Sequence, residues 1–223
     1  KIILFIVAHT HYEAIGLGGT IAKHTDRDEL VFGISMTDGV SSRINASFSQ
    51  KERRLKVAKK SAEILGFSWL KHGEFPDNKM DSVPLLEVVK FIESVKLNLK
   101  PDIIYTHSPA DLNKDHRIVY EATLTAFRPQ PFESFEEIRT FEVPSATDYG
   151  SDYFSNYFSP NLFIDITKTI KKKLLALDQY KEEMREPPHT RSIEGITNLA
   201  KFRGFQSGID FAEAFKIIKK IER

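Results

Sequence analysis

Residues 1–19, Lys-Ile-Ile-Leu-Phe-Ile-Val-Ala-His-Thr-His-Tyr-Glu-Ala-Ile-Gly-Leu-Gly-Gly, decide the predicted fold. The apolar run at 2–8 is typical of a strand covered on both faces, as in the centre of a parallel α/β sheet. It ends abruptly at a loop with His9, His11 and Glu13, whose side chains can bind a divalent metal or transfer a proton. Since ligands bind beyond the carboxyl ends of such strands, we expect a functional site in this loop.

A purely structural interpretation of the same loop is also open, because a histidine after a strand is often only a hydrogen-bonding residue. The glycines at 16, 18 and 19 allow close backbone approach but identify no cofactor. They do not fit the dinucleotide fingerprint G-x-G-x-x-G, because Ile21 takes the place of the last glycine. The chain also contains no G-x-x-x-x-G-K-[ST] phosphate loop.

Composition favours one soluble α/β domain over 1–223, since 223 residues suffice for a large core. There are 32 basic and 31 acidic residues, and this near-neutral charge argues against nucleic acid as the main partner. The absence of cysteine excludes disulfides, thiolate metal sites and a cysteine nucleophile. No apolar run approaches the roughly 20 residues of a membrane span. We therefore expect a cytoplasmic protein with no membrane span.

Alternating apolar runs and helical periodicities predict an α/β fold, with a Rossmann-like, mainly parallel sheet and helices on both faces. Helix 51–65 is predicted to be amphipathic and structural, with Leu55, Ala58, Ala62 and Leu65 at helical spacing. The predicted strands are 2–8, 30–36, a short one beginning at 69–70, 102–107, 138–143 and 162–166. The predicted helices are 19–24, 51–65, 83–99, 118–127, 170–184, 192–203 and 210–221.

Several polar residues follow predicted strands and are expected near His9. Asp38, in the sequence Thr-Asp-Gly after the second strand, comes out on the same sheet edge, although Thr-Asp-Gly is equally typical of a simple turn. Arg43, in the loop that follows, could bind a hydroxyl or phosphate group, although most exposed arginines bind nothing. His189 and Arg191 lie on a proline-rich loop and are further candidates for a pocket.

His116 is predicted near the amino end of the helix after strand 102–107. The helix macrodipole disfavours a cation there, so a neutral imidazole that can coordinate a metal fits the position better. Asp111 or Asn113 could cap this helix, which is the structural alternative for the polar residues of this loop.

Four blocks together resemble the PIG-L or LmbE-like family of metal-dependent de-N-acetylases. The resemblance implies a Rossmann-like fold and hydrolysis of the N-acetyl group of glucosamine-type sugars, with a zinc ion held by two histidines and one aspartate. Members of this family are often oligomeric, so a homo-oligomer is compatible with the resemblance. The blocks are Ala8-His-Thr-His-Tyr-Glu13 with Gly16-x-Gly-Gly19, Thr37-Asp-Gly39, Asp111-Leu-Asn-Lys-Asp-His-Arg117 and Pro188-His-x-Arg-Ser192.

The first block departs from the family pattern Ala-His-Pro-Asp-Asp-Glu. His9 matches the metal-binding histidine and Glu13 is retained. His11 replaces the aspartate that serves as general base, Tyr12 replaces the metal-binding aspartate, and Thr10 replaces the proline. A tyrosine phenol, with a reference pKa near 10, is a poor metal ligand at neutral pH.

The later block keeps more of the family pattern. His116 matches the second metal-binding histidine, and Asp115 precedes it as in the family. Asn113 stands where many members have a histidine that stabilises the oxyanion, and an asparagine can still donate one such hydrogen bond. His9 and His116 therefore supply two of the three protein ligands usual for catalytic zinc.

These substitutions leave two hypotheses open. In the first, the chain hydrolyses an N-acetylated amino sugar, or its glycoside or nucleotide, at a metal site completed by His11 or by water. Zn²⁺ or another divalent metal is then weakly bound, and His11, Asn113 and Asp115 are the catalytic candidates. In the second, the chain is a catalytically impaired relative that binds a sugar ligand without hydrolysing it. In both, substrate contacts are assigned to Asp38, Arg43, His189 and Arg191.

Overall fold

The computed structural model describes residues 1–40, 48–150 and 157–222, and at its centre is a seven-stranded sheet in the order β3-β2-β1-β4-β5-β7-β6. The first five strands in sequence pair in parallel, whereas β7 runs antiparallel between β5 and β6. This arrangement confirms the predicted α/β fold with a mainly parallel sheet. The strands are β1 (Ile2–Val7), β2 (Leu30–Thr37), β3 (Ser68–Phe75), β4 (Ile103–His107), β5 (Glu137–Phe141), β6 (Leu162–Asp165) and β7 (Ala212–Lys220).

Helices cover both faces of the sheet. Alternate residues of β1 point to opposite faces, so the strand contributes to two separate buried clusters. Phe5 and Val7 join a buried cluster with α1, α2 and α5, whereas Leu4 and Ile6 join a second cluster with α3 and α4. No helix within the described ranges is long and apolar enough to cross a membrane. The helices are α1 (Tyr12–Thr25), α2 (Phe48–Leu65), α3 (Leu85–Leu99), α4 (Lys114–Ala126), α5 (Ile170–Gln179) and α6 (Ile193–Phe205).

Helix α1 begins at Tyr12, so the prediction of a helix limited to 19–24 was wrong. Glycines usually weaken a helix, but here they permit close packing. A Cβ on Gly16 would lie 2.4 Å from the Phe141 ring, and one on Gly19 would lie 2.8 Å from Ile166. The helix is kinked at Leu17, where φ is −145°. Tertiary packing therefore keeps the glycine-rich stretch helical and brings the first turn of α1 directly after β1.

The segment predicted as a last helix, 210–221, is strand β7, so that prediction was wrong. β7 is paired on both sides, with β5 and with β6, which supplies its backbone hydrogen bonds. The carboxylate of Glu213 accepts hydrogen bonds from the backbone N–H groups of Gly19 and Thr20 and pairs with Lys173 at 2.6 Å. This buried contact ties β7 to α1 and α5.

Other boundaries differ by a few residues. Helix α4 starts at Lys114 rather than 118, and α5 ends at Gln179 rather than 184. Leu55 on α2 is exposed rather than inward, and Arg54 is buried in its place. The buried face of α2 thus places the positive charge of Arg54 at the carboxyl edge of the sheet.

Candidate active site

A polar cavity of about 290 Å³ lies at the carboxyl edge of the sheet, where β1, β2 and β4 end. This volume is close to the lower end of the range for small-molecule sites, about 300–1,000 Å³. A cavity of this volume suits a ligand of monosaccharide size better than an extended polymer. Its lining includes His9, His11, Tyr12, Asp77, Asn113 and Arg191.

The turn between β1 and α1 is built around His11 in a left-handed conformation, with φ of 103°. Such a conformation is uncommon for a residue other than glycine and persists only where surrounding contacts enforce it. The carboxylate of Glu13 supplies one contact, because it accepts the His11 backbone N–H at 2.7 Å. It also accepts hydrogen bonds from Tyr180 at 2.6 Å and from Ser61 at 3.0 Å. Glu13 thus holds the turn against α2 and the residue that follows α5.

The buried guanidinium of Arg54 determines which nitrogen of His11 carries the proton. Arg54 lies 3.1 Å from His11 Nδ1, donates to the carbonyl of Thr10 and pairs with Glu183. Since a guanidinium only donates, Nδ1 accepts and the ring proton resides on Nε2. Burial and the charge of Arg54 hold the pKa of His11 well below its usual value. His11 is therefore neutral and offers an N–H donor, rather than a lone pair, at Nε2.

His116 lies within a buried network at the first turn of α4. Its Nδ1 is 2.8 Å from Asp111, whose other oxygen accepts from the Thr147 hydroxyl. Its ring stacks on His107, with ring centroids 3.9 Å apart, and His107 Nε2 accepts the backbone N–H of Ala8 at 3.0 Å. His116 donates through Nδ1, which leaves a lone pair on Nε2, a buried atom with no hydrogen-bond partner among the described residues. An orphaned imidazole nitrogen of this kind is suited to a metal ligand.

We expect the metal-free protein to lose stability as pH falls from about 6.5 to about 3. Burial, with a further contribution from His107, lowers the pKa of His116 to about 3 from 6.5. In that interval the unfolded chain binds a proton that the folded chain excludes, so the free energy of unfolding falls by about 2–4 kcal/mol. Urea unfolding with EDTA at pH 7 and pH 4.5 measures this loss. His116→Gln should show a smaller loss, and an unchanged loss would contradict the assignment.

His9 faces two carboxylates through the same nitrogen. Its Nε2 lies 2.8 Å from Asp77 and 3.2 Å from Asp115. Burial lowers the pKa of His9, but the hydrogen bonds of Asp115 and Asp77 outweigh it, so the pKa lies above the usual value. Asp115 also accepts the backbone N–H groups of Asn78 at 2.8 Å and Met80 at 3.1 Å. Asp115 thus fixes both the His9 ring and the loop that carries Asp77.

The donor set fits a divalent metal between His9 and His116. Their ring centroids are 5.8 Å apart, and two imidazoles that share one ion at Zn–N distances of about 2.0–2.1 Å lie roughly 5–6 Å apart. Each ring directs one nitrogen to a carboxylate, the usual support for a metal-binding histidine. Tyr12 fits less well, because burial raises the pKa of its phenol. The ring of Tyr12 lies 4.4 Å from that of His116 and 4.0 Å from that of His11.

The other candidate residues are placed at different distances from this cavity. Asn113 lines it, caps α4 through a 2.9 Å bond from the Asp115 backbone and donates to Asn78 at 3.2 Å. Asp38 lies at the same edge but accepts from the backbone of Val40 and pairs with Lys51 at 2.6 Å.

His189 is next to the cavity rather than in its lining. Its Nδ1 accepts the backbone N–H of Arg191 at 3.0 Å, and its ring lies 6.3 Å from that of Tyr149. Arg191 itself lines the cavity. Arg43 lies outside the described residues, so its assignment as a substrate contact stays a prediction.

Sequence reasoning missed Arg54 and Asp77. Arg54 has a signal in the sequence, because it lies four residues before Ala58 and seven before Ser61, on the buried stripe of α2. A charged residue on an otherwise apolar or small-residue stripe indicates a buried role. Asp77 has no comparable signal, because its loop resembles an ordinary proline-containing turn.

Comparison with known proteins agrees with the resemblance described above. A diacetylchitobiose deacetylase of Thermococcus kodakarensis is 30% identical over 231 residues, which cover 99% of this chain and 84% of that protein. The N,N'-diacetylchitobiose deacetylase of Pyrococcus horikoshii, solved with an inhibitor, has a TM-score of 0.77 at 24% identity, covering 98% of this chain and 84% of that one.

The same fold also supports a different reaction. GalB of Pseudomonas putida KT2440, a 4-carboxy-2-hydroxymuconate hydratase, has a TM-score of 0.78 at 21% identity, covering 100% of this chain and 98% of that one. The fold alone therefore does not select the reaction. The family model described as PIG-L: GlcNAc-PI de-N-acetylase matches residues 4–127, more than half of the chain. On this match and the 30% identity to the Thermococcus enzyme, the chain belongs to the PIG-L de-N-acetylase family.

Proposed function

We propose that this protein is a metal-dependent hydrolase that removes the N-acetyl group from an amino sugar. The observation that carries the proposal is the pair His9 and His116. Their rings are 5.8 Å apart at the carboxyl edge of the sheet, and each is oriented by a buried carboxylate. Relatives that act on diacetylchitobiose support an N-acetylated sugar as the substrate class.

The divalent metal, Zn²⁺ or a similar ion, would be held by His9 and His116. His9 directs Nε2 to Asp77 and Asp115, so Nδ1 is the nitrogen left for an ion. His116 directs Nδ1 to Asp111 and offers Nε2. When bound there, such an ion polarises the amide carbonyl and makes water more acidic. Asp115 and Asp111 are positioning residues, because they act through the two imidazoles.

The cavity lining also includes two residues that can supply N–H donors to an amide oxygen that gains charge. His11 carries its proton on Nε2, since Arg54 occupies Nδ1. Asn113 uses its carbonyl oxygen to cap α4 and one N–H to contact Asn78, which leaves one N–H. We infer that His11 and Asn113 stabilise the oxyanion, as prearranged donors do in acyl transfer. His11 therefore acts as a donor in the position where the family has a basic aspartate.

The proton acceptor is assigned to Asp77. The cavity lining contains two carboxylates among the described residues, Asp77 and Glu183. Glu183 is paired with Arg54, so the negative charge of its carboxylate is already neutralised. Asp77 lies next to His9 and lines the cavity, and its carboxylate can accept a proton from water and return it to the departing amine.

Acetate release tests the proposal directly. The purified protein, stripped with EDTA and reloaded with Zn²⁺, Co²⁺ or Mn²⁺, is incubated with N-acetylglucosamine and diacetylchitobiose, and both acetate and free amine are measured. We expect equal amounts of both products with metal and none with EDTA. Saturable sugar binding without any acetate would instead identify a binding protein that has lost catalysis.

Asp77→Asn is expected to reduce kcat by about 10²–10⁴, the range typical of a lost general base, while KM changes little. The side chain keeps its shape, so a loss confined to KM would assign Asp77 to sugar binding instead. Asp81→Asn is the matched control, because Asp81 is an exposed carboxylate four residues away. Its kcat should equal that of the parent protein.

A further inference from the structure

Thr147 contacts the carboxylate that orients His116, although it lies outside the cavity lining. Its hydroxyl is 2.5 Å from Asp111 Oδ1, and the other oxygen of that carboxylate, Oδ2, is 2.8 Å from His116 Nδ1. Asp111 is fully buried and is not part of the lining either. We therefore expect the influence of Thr147 on His116 to pass through Asp111.

A second hydrogen bond determines the direction of the Thr147 hydroxyl. The backbone N–H of Val143 donates to Oγ1 of Thr147 at 2.7 Å. The oxygen is thus an acceptor on that side, and its single proton is left for Asp111. The backbone N–H of Thr147 donates in return to the carbonyl of Val143 at 2.9 Å. These two bonds close a turn and orient the proton donor before any ligand binds.

The turn closed by Thr147 also forms part of the cavity wall. Ser145 and Ala146 lie within the turn and line the cavity, and Ser145 has a left-handed φ of 69°. A residue other than glycine keeps such a conformation only where its surroundings enforce it. The carbonyl of Ala146 accepts the backbone N–H of Leu112, next to Asp111 in sequence, at 2.8 Å. The wall and the Asp111 loop are therefore joined at two points, by this backbone bond and by the Thr147 hydroxyl.

His107 competes with His116 for the Asp111 carboxylate. The Nε2 of His107 accepts the backbone N–H of Ala8, so its ring proton lies on Nδ1, which is 3.6 Å from Asp111 Oδ2. The Nδ1 of His116 is closer to the same oxygen, at 2.8 Å. Without the bond from Thr147, the carboxylate would turn toward His107, since a buried oxygen without a partner is costly. The hydroxyl of Thr147 thus favours His116 in this competition.

We propose that Thr147 is a positioning residue of the metal site, whose hydroxyl holds Asp111 so that the carboxylate orients His116 rather than His107. This inference rests on the proposed function for the ion at His116 Nε2. A carboxylate that orients a metal-binding histidine typically contributes about 10- to 100-fold to metal affinity. Thr147 supports such a carboxylate without touching the histidine, so its own contribution should be smaller.

Thr147→Val tests the inference, because valine keeps the shape of the side chain and removes only the hydroxyl. Zinc affinity is measured by calorimetry with a competing chelator, so the result does not depend on turnover. We expect Thr147→Val to bind zinc about three- to tenfold more weakly than the parent. Thr147→Ser keeps the hydroxyl and should bind zinc within about twofold of the parent.

Two further comparisons separate a positioning role from a general loss of stability. Thr169→Val removes a buried hydroxyl that donates to the carbonyl of Gly19 at 2.8 Å, away from the cavity lining. It should lower the melting temperature and leave zinc affinity unchanged. In an Asp111→Asn background, Thr147→Val should change zinc affinity by less than about twofold, because an amide has one oxygen and cannot accept from both Thr147 and His116.

Unchanged zinc affinity in Thr147→Val, an equal loss in Thr147→Ser, or the same loss in the Asp111→Asn background would overturn the inference. Acetate release by the zinc-loaded parent is measured separately. If the parent releases acetate and Thr147→Val binds zinc as the parent does, the inference fails and the proposed function stands. Weaker zinc binding in Thr147→Val, restored in Thr147→Ser, with no acetate release by the parent would support the inference and reject the hydrolase. A parent that binds no zinc would reject both.

Discussion

Replacing Tyr12 by aspartate is expected to raise the affinity for Zn²⁺ by on the order of 100-fold or more. The change introduces a carboxylate, which binds zinc at about 2.0–2.2 Å and partly neutralises its charge. In the parent, burial raises the pKa of the Tyr12 phenol, so at neutral pH this position offers a neutral hydroxyl to the ion. Zinc titration by calorimetry, with competition by a chelator, measures the change. Acetate release should increase in the same variant.

Tyr12→Asn is the matched control for this experiment. It removes the same buried ring, which lies within 6 Å of four imidazole rings, but adds no charge. Both variants should be destabilised by about 2–4 kcal/mol, because each leaves a cavity. Equal zinc affinity in Tyr12→Asp and the parent would show that the site of the parent is already complete. The double variant His11→Asp, Tyr12→Asp also restores the family's basic aspartate and should be the more active.

His116→Gln should weaken zinc binding by roughly 10³-fold or more and abolish acetate release, because it removes the imidazole nitrogen proposed as a metal ligand. His107→Gln is the informative comparison. His107 stacks on His116 but uses its Nε2 to accept the Ala8 backbone N–H, so its loss should cost stability and reduce zinc affinity by less than about tenfold. Equal loss of zinc in the two variants would assign the ion to the cluster of His107, Asp111 and His116 instead.

The central strands, and the sheet edge at which His9 and His107 lie, could be predicted from sequence, because each apolar run ends at a polar residue. β1 ends before His9 and β4 ends at His107, and adjacent parallel strands bring such residues to one edge. The neutral state expected for His116 also follows from local physics, since a helix amino terminus and burial both disfavour a cation there.

The errors arose where tertiary contacts override local pattern. The segment 210–221 has apolar residues at spacings that suit a helix. In the structure it pairs with β5 on one side and β6 on the other, and its Glu213 is buried against Lys173. The glycines of α1 suggested a loop. In the structure they are helical, and the absence of their side chains allows Phe141 and Ile166 to pack against the helix. Local periodicity contains no information about such distant partners.

The tautomer of His11 lies beyond sequence reasoning for the same reason. His11 was a candidate for base or ligand, and the choice between these roles depends on the lone pair of each ring nitrogen. Arg54, 43 residues away in sequence, occupies Nδ1 and leaves Nε2 as a donor. A long-range hydrogen bond therefore determines the chemistry of this position.

Anomalous diffraction at the zinc edge, from crystals of the parent protein soaked in Zn²⁺, tests the central claim most directly. The predicted result is one peak within about 2.0–2.2 Å of both His9 Nδ1 and His116 Nε2, at the carboxyl edge of the sheet. A peak bound by His107 and Asp111, or at Asp77 and Asp115 without His116, or no peak at a saturating zinc concentration, would contradict it.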